Sequence, residues 1–259
     1  MATYLDTILA AHRRAAADDH RPLDQLVERA LAMAPARGFR AALERDGAER
    51  LAVIGEIKRR SPSKGDLNVG LDPAGLAATY QSAGASCLSV LTDEAFFGGS
   101  VADLQAARGS TTLPAIRKDF TVSARDVCDA RLMGADCVLL IAAALAPAEL
   151  VAFHRLALDV GLDVLVEVHD EGELEVAVQA GATLVGVNQR DLVTFQVDHE
   201  RAVRVAGLMP EGVVRVAESG VRDAADAASL RAAGYHAILV GESLVTSPDP
   251  AATLRSLRV

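Results

Sequence analysis

Tryptophan is absent from this chain, and aromatic residues make up only 3% of its 259 residues. Cysteine is scarce: Cys87, Cys128 and Cys137 are the three present, and no two form a CxxC pair. That excludes a disulfide scaffold. Free Cys inside apolar runs behaves as a small hydrophobe, which fits a reducing compartment and a cytoplasmic location. No apolar run reaches 18 residues, so no helical membrane span is expected. The opening "MATYLDTILAAHRR" carries charge where a secretory leader needs its apolar stretch. Positive charge is also in short supply. Lys and Arg number 26 against 35 Asp and Glu, for a net charge of −9. Consecutive arginines occur as pairs at 13–14 and 59–60, which is no basic face for nucleic acid. An acidic protein still binds an anion where its few cations converge.

What is present is ordinary for a globular protein: 51% hydrophobic and 24% charged residues. A chain of this length buries about 75% of its unfolded surface. Four stretches rhyme: "AGASCLSVL", "MGADCVLLI", "AGATLVGVN" and "AGYHAILVG". Each ends an Ala-rich helical segment at a Gly, which suits the helix C′ position, and runs into a short apolar strand. Such runs read as strands buried on both faces. Eight are expected, near 51–57, 85–91, 113–117, 136–141, 163–168, 183–187, 213–217 and 236–240. Helical patterns fill the gaps, as at 73–83, 147–159, 171–180 and 223–233. Eight βα units predict an α/β TIM (β/α)8 barrel; an open doubly wound sheet is the competing arrangement. Residues 1–47 show helical spacing with no strand between. They read as an N-terminal helical extension packed on the barrel of 48–259, the whole chain forming one domain.

A TIM barrel works at the C-terminal ends of its strands, and there the charges collect. The ends carry Glu56 and Lys58, Thr92 and Asp93, Arg117 to Asp119, Glu167, Asn188 to Arg190, Glu218 to Gly220, and Gly241. Glu56 and Lys58 share one face of their strand, so both can point inward while Ile57 points to the helices. Polar residues also cap strands for mere solvation. Two lysines and three glutamates at one barrel mouth are a different matter, because unpaired buried charge is costly. Gly220 and Gly241 lie in the loops after strands seven and eight, at turns expected to open helices, where backbone N–H groups favour a phosphate. Phe97 and Phe120 near strand ends suit a planar ring or a loop core. His169 follows Glu167 by two residues, but no third ligand is evident, so no metal is expected.

In series, "GEIKRRSPSKG", "LTDEAFFGGS", "LPAIRKDF", "VEVHDEGELE", "VNQRDL", "AESGV" and "LVGESL" resemble indole-3-glycerol phosphate synthase, over nearly the whole chain. The resemblance implies a monofunctional tryptophan-biosynthesis enzyme without a cofactor, working as a monomer or weak homo-oligomer, with no nucleic-acid or membrane partner. It implies the phosphorylated substrate 1-(2-carboxyphenylamino)-1-deoxyribulose 5-phosphate, whose pyrrole ring closes with loss of CO2 and water. By resemblance Lys118 is the general acid, Glu167 the base for the dehydration, Lys58 the cation that meets the substrate carboxylate or the ion-pair network beside it, and Glu56 the residue that holds the lysines or assists proton transfer. Asn188, Arg190 and Glu218 look like substrate-orienting residues, and Phe97 and Phe120 would pack the anthranilate ring. Ser61, Ser219, Gly220, Gly241 and Glu242 match phosphate-binding stretches; Arg60 and Gln189 carry no assigned role. The competing readings are another sugar-phosphate barrel such as phosphoribosylanthranilate isomerase, and a non-catalytic phosphate-binding barrel. The segment 59–67 is expected to cover bound substrate, as lid loops do.

Overall fold

The computed structural model describes residues 3–191 and 193–259. Eight parallel strands close into a barrel: β1 (Ala52–Ile57), β2 (Cys87–Leu91), β3 (Ala115–Lys118), β4 (Cys137–Ile141), β5 (Asp163–Val168), β6 (Leu184–Asn188), β7 (Val214–Glu218) and β8 (Ala237–Val240). β1 pairs with β8 on one side, Ala52 opposite Ala237, and with β2 on the other, Ile54 opposite Cys87. The circle has no free edge, which excludes the open sheet. The strand expected at 163–168 has those bounds, and the other seven begin one or two residues later than expected.

Helices α4 (Pro73–Ala83) and α8 (Pro147–Asp159) have the bounds read from the sequence, while α9 (Glu171–Gln179) and α11 (Ala224–Ala232) are shorter at one or both ends. Pro73 sits in the first turn of α4, Asp72 accepts from the Ala74 N–H, and Gly84 closes the helix at φ 92°. That is the pairing of N-terminal Pro with C-terminal Gly.

Alternation along each strand makes two cores. Outward residues such as Val53, Val90, Leu140, Val166, Val187 and Ile238 pack under the helices. Inward residues such as Ile54, Ile116, Leu139, Leu165, Val216 and Leu239 fill the barrel. Cys87 and Cys137 belong to that inner core, and Cys128 is buried on the helix layer, all three as free thiols.

The extension has three helices, α1 (Tyr4–Asp18), α2 (Leu23–Leu31) and α3 (Phe39–Glu49), so it runs two residues past the expected end at 47. The helix continues there, and the strand starts only at Ala52. α3 plugs the N-terminal end of the barrel: Phe39, Ala42 and Leu43 join the inner core. The Arg37 and Arg40 amides donate to Asp136 and Asp163, beside the starts of β4 and β5, each at 2.8 Å. α1 crosses the opposite end. Arg13 makes a bidentate pair with Glu149 and reaches the carbonyls of Val122 and Ala144. His12 Nε2 lies 2.8 Å from Asp93, and Tyr4 meets Phe96 and Phe195 edge-on.

Phe39 has no solvent exposure. Phe39→Ala should cost about 3–5 kcal/mol in denaturant unfolding and leave a single transition for extension and barrel. A cost under about 1 kcal/mol, or a separate transition for the extension, would show that α3 is not part of the barrel core.

Candidate active site

At the C-terminal ends of the strands lies a cavity of about 480 Å³, whose lining includes Glu56, Lys58, Lys118, Glu167, Asn188 and Glu218. The register explains their convergence. Each sits on the inward face at or next to its strand's end, and parallel pairing holds those ends level: Leu91 lies opposite Lys118, Ile141 opposite Glu167, and Asn188 opposite Glu218.

Lys118 Nζ stands 3.3 Å from Glu167 Oε2 and 3.5 Å from Glu218 Oε2. Burial pushes its pKa down, but Glu167, Glu218 and Glu56 outweigh that and hold it well above the usual lysine range. Lys58 Nζ is 2.6 Å from Glu56 Oε1, and Ser89 donates to the other Glu56 oxygen at 3.2 Å. Burial raises the Glu56 pKa, while the two lysines and Ser89 bring it below the ordinary carboxylate value. Glu167 and Glu218 diverge. Burial raises both, but Lys118, His169 and Asn188 take Glu167 down, whereas burial and the Glu167 charge drive Glu218 up. Two carboxyl groups in one buried site do not both ionise easily, and Glu218 is the one whose pKa is raised.

Glu167 Oε1 accepts from Asn188 Nδ2 at 3.1 Å, and Asn188 Oδ1 accepts from the Arg190 N–H at 3.0 Å. The Arg190 side chain is braced by the Phe195 carbonyl at 3.1 Å and lies 3.6 Å from Glu242. Phe97 and Phe120 face each other across part of the lining, ring centroids 6.2 Å apart. Phe96 turns to Tyr4 instead. His12, Asp93 and Asp119 gather beside Phe120. Their carboxylates are already engaged by the Phe96, Phe97 and Phe120 amides, Thr92 and Arg117.

Ser61, Ser219, Gly220, Gly241 and Glu242 line one part of the cavity together with Lys64 and Arg222. Of the two glycines expected to open helices, Gly241 does so as the cap of a short one, and the expectation for Gly220 needs correction. Gly220 lies four residues before α11, whose cap is Asp223, and the helix after Gly241, α12 (Glu242–Val245), is a single turn. One turn has too few aligned peptides for a full macrodipole. Any anion here must rely on local N–H groups and side chains. Ser219 and Gly220 are both left-handed, at φ 65° and 76°. A left-handed non-Gly residue is held at a cost of about 1–3 kcal/mol. Gln189 helps to hold it, donating to the Ser219 carbonyl at 2.7 Å, so Gln189 has a part that the sequence did not reveal.

Two glycines matter because of what stands next to them. A Cβ on Gly186 would collide with Glu218 Oε1, and one on Gly241 with Glu56 Oε1. Gly186 was missed from sequence, although a Gly inside the apolar run "LVGVN" signals close approach by another group. Ser89 and Arg222 were missed as well, and an isolated Ser or Arg carries no such signal.

Segment 59–67 forms a small hairpin of strands Arg60–Ser61 and Gly65–Asp66, with Ser61 to Lys64 lining the cavity. Arg59 pairs with Asp103, and Arg60 donates to the carbonyls of Glu94 and Ala95. Both arginines thus anchor the loop's base.

A closed barrel with an ion-lined cavity at its C-terminal strand ends defines a TIM-barrel enzyme. Solved structures share the fold: a thiamine phosphate pyrophosphorylase from Pyrococcus furiosus, TM-score 0.59, 16% identity over 80% of this chain and 93% of that one. An N-acetylmannosamine-6-phosphate 2-epimerase from Clostridium perfringens has TM-score 0.59 and 12% identity, over 74% and 86% of the two chains. At such identities the likeness concerns fold alone. Sequence is more specific. A model of the family described as indole-3-glycerol phosphate synthase matches residues 5–257. "Indole-3-glycerol phosphate synthase 2" of Streptomyces coelicolor is 51% identical over 90% of this chain and 89% of its own length. The protein so named in Chlorobium luteolum is 47% identical over 95% of each. The chain belongs to the indole-3-glycerol phosphate synthase family.

Gly186→Ala should displace Glu218 from Lys118 and cut turnover at least about tenfold, a loss of about 1.4 kcal/mol in the barrier term, while the protein remains folded by circular dichroism. Unchanged turnover would show that the Lys118–Glu218 contact is dispensable.

Proposed function

We propose that this chain acts as an indole-3-glycerol phosphate synthase, closing the pyrrole ring of 1-(2-carboxyphenylamino)-1-deoxyribulose 5-phosphate with release of CO2 and water. The observation that carries the reading is Lys118, protonated and mostly buried, set among carboxyl groups from three other strands.

Ring closure needs a proton at the ketone oxygen as the aromatic carbon bearing the carboxylate attacks. Lys118 supplies it, and the carboxylates around it keep it charged until then. Bond formation breaks the ring's aromaticity, and loss of CO2 restores it. Lys58 faces the substrate carboxylate, with Glu56 fixing the ammonium. Dehydration then removes the hydroxyl formed from the ketone and a proton from the adjacent carbon. Glu167, ionised and oriented by Asn188, takes that proton. Glu218, with its raised pKa, is the carboxyl beside Lys118 that most readily goes neutral. Positioned proton transfer contributes about 10²–10⁴-fold.

Phe97 and Phe120 pack the anthranilate ring. Asn188 and Arg190 orient the chain of the sugar. The phosphate lies among Ser61, Ser219, Gly220, Gly241 and the Glu242 backbone. In support, the N–H groups of Glu242 and Ser243 have no hydrogen-bond acceptor among the described residues. The Glu242 side chain is drawn aside by Lys64 and Arg190, 3.7 and 3.6 Å away. The same reading makes the partner a small phosphorylated molecule, met in the cytoplasm by a monomer or weak homo-oligomer. No described helix is long and apolar enough to cross a membrane.

Lys118→Ala and Glu167→Gln should each lower turnover at saturating substrate by about 100-fold or more, read as indole absorbance. A loss below about tenfold for either would remove that residue from the proton-transfer role. Bound substrate analogue should also protect segment 59–67 from proteolysis; equal cleavage with and without it would show that the hairpin is no lid.

A further inference from the structure

His169 has no part in that reaction. It stands two residues beyond Glu167, just past the end of β5, and does not line the cavity. Its ring is nonetheless tightly set. Nδ1 lies 3.0 Å from Glu173 Oε2, and the His169 backbone N–H donates to the same oxygen at 2.8 Å. Glu173 belongs to the first turn of α9, whose cap Asp170 accepts from the Glu173 N–H at 2.8 Å. A carboxylate only accepts, so Nδ1 carries the hydrogen. The other nitrogen, Nε2, is buried without a hydrogen-bond partner, 3.6 Å from Glu167 Oε1. A bare lone pair there would face a carboxylate. A protonated nitrogen would pair with it.

We propose that His169, gripped by Glu173, is a positioning residue whose imidazolium keeps Glu167 ionised and turned toward the cavity. A line Glu173–His169–Glu167 then links α9 to the reacting centre. The inference rests on Glu167 being the base of the reaction above.

The surroundings agree in sign. Glu173 on α9 and Glu167 on β5 favour the cation, and Arg201 on α10 (His199–Ala206) opposes it. Burial pushes the His169 pKa down, but the two carboxylates outweigh it and the net direction is up. From the far side Lys118 on β3, Asn188 on β6 and Glu218 on β7 also face Glu167. Lys118 and His169 are the cations that depress its pKa, against the burial that raises it. Glu167 accepts a proton only when ionised. Activity that depends on it is present above its folded pKa and lost as pH falls through that value. Removing the His169 charge raises that pKa, so the acid limb of the pH–rate profile must move to higher pH.

The test is the pH dependence of kcat and KM for the full chain, for His169→Asn and for Glu173→Gln. The expected result for His169→Asn is an acid limb displaced upward by about one pH unit, with KM within about twofold and the loss shrinking toward alkaline pH. Glu173→Gln, which leaves the imidazole in place with a weaker partner, should shift the limb the same way by less. A uniform loss at every pH, or profiles superimposable on the parent's, would overturn the proposal and leave His169 a space-filling ring. If His169→Asn does not fold, Glu173→Gln decides by the same criterion. Glu167→Gln run in parallel separates the two readings. Its retention of activity would sink Glu167 as base, whereas its inactivity beside an unmoved His169→Asn profile would sink the relay alone.

Discussion

Two ammonium groups and three carboxyl groups share one cavity, and the barrel tolerates them because they balance. Glu56, Glu167 and Glu218 are almost wholly buried, where an uncompensated charge costs several kcal/mol. Lys58 pairs with Glu56 and Lys118 with Glu167, and the raised pKa of Glu218 lessens the third negative charge. The pairing also leaves Lys118 charged and Glu167 ionised, the states that an acid and a base need at the start of a reaction.

That balance depends on space as much as on charge. Long inward side chains fit the barrel's upper layer because neighbouring strands offer glycine there: Gly186 opposite the Glu218 carboxyl and Gly241 against Glu56. Below them the inward positions become Ile54, Leu139, Leu165, Val216 and Leu239. The switch from apolar to ionic happens within one strand pleat. The floor of the cavity is therefore a packed apolar core, and α3 closes the lower end with Phe39 and Leu43. Fields from the ion cluster are less screened there than at an open surface.

The helical extension embraces both ends of the barrel. α3 seals the bottom, and α1 roofs the top through Arg13–Glu149, His12–Asp93 and the Tyr4 ring contacts. His12 also packs beside Phe120, a wall of the cavity, so the roof bears directly on the cavity's shape. A helical segment ending at Glu49 thereby bears on both ends of the barrel.

Strand positions, helix-end signals, the inward face of Glu56 and Lys58, and the placing of Lys118 and Glu167 at strand ends were legible in the chain, because period-2 alternation and a Pro or Gly at an element's end are local properties. The seven motifs carried the family by their order. What was not legible depends on distances between residues remote in sequence. Nothing local about Gln189 shows that it pins Ser219, thirty residues on. The raised pKa of Glu218 depends on burial and on Glu167 lying nearby across β6, and the helical spacing of 1–47 cannot say which helix caps which end. The sequence by itself determined the elements, their faces and the kinds of side chain at each strand end. Only closure of the barrel decided which of those side chains meet and which carry protons, since both depend on separations and burial created when strands far apart in the chain become neighbours.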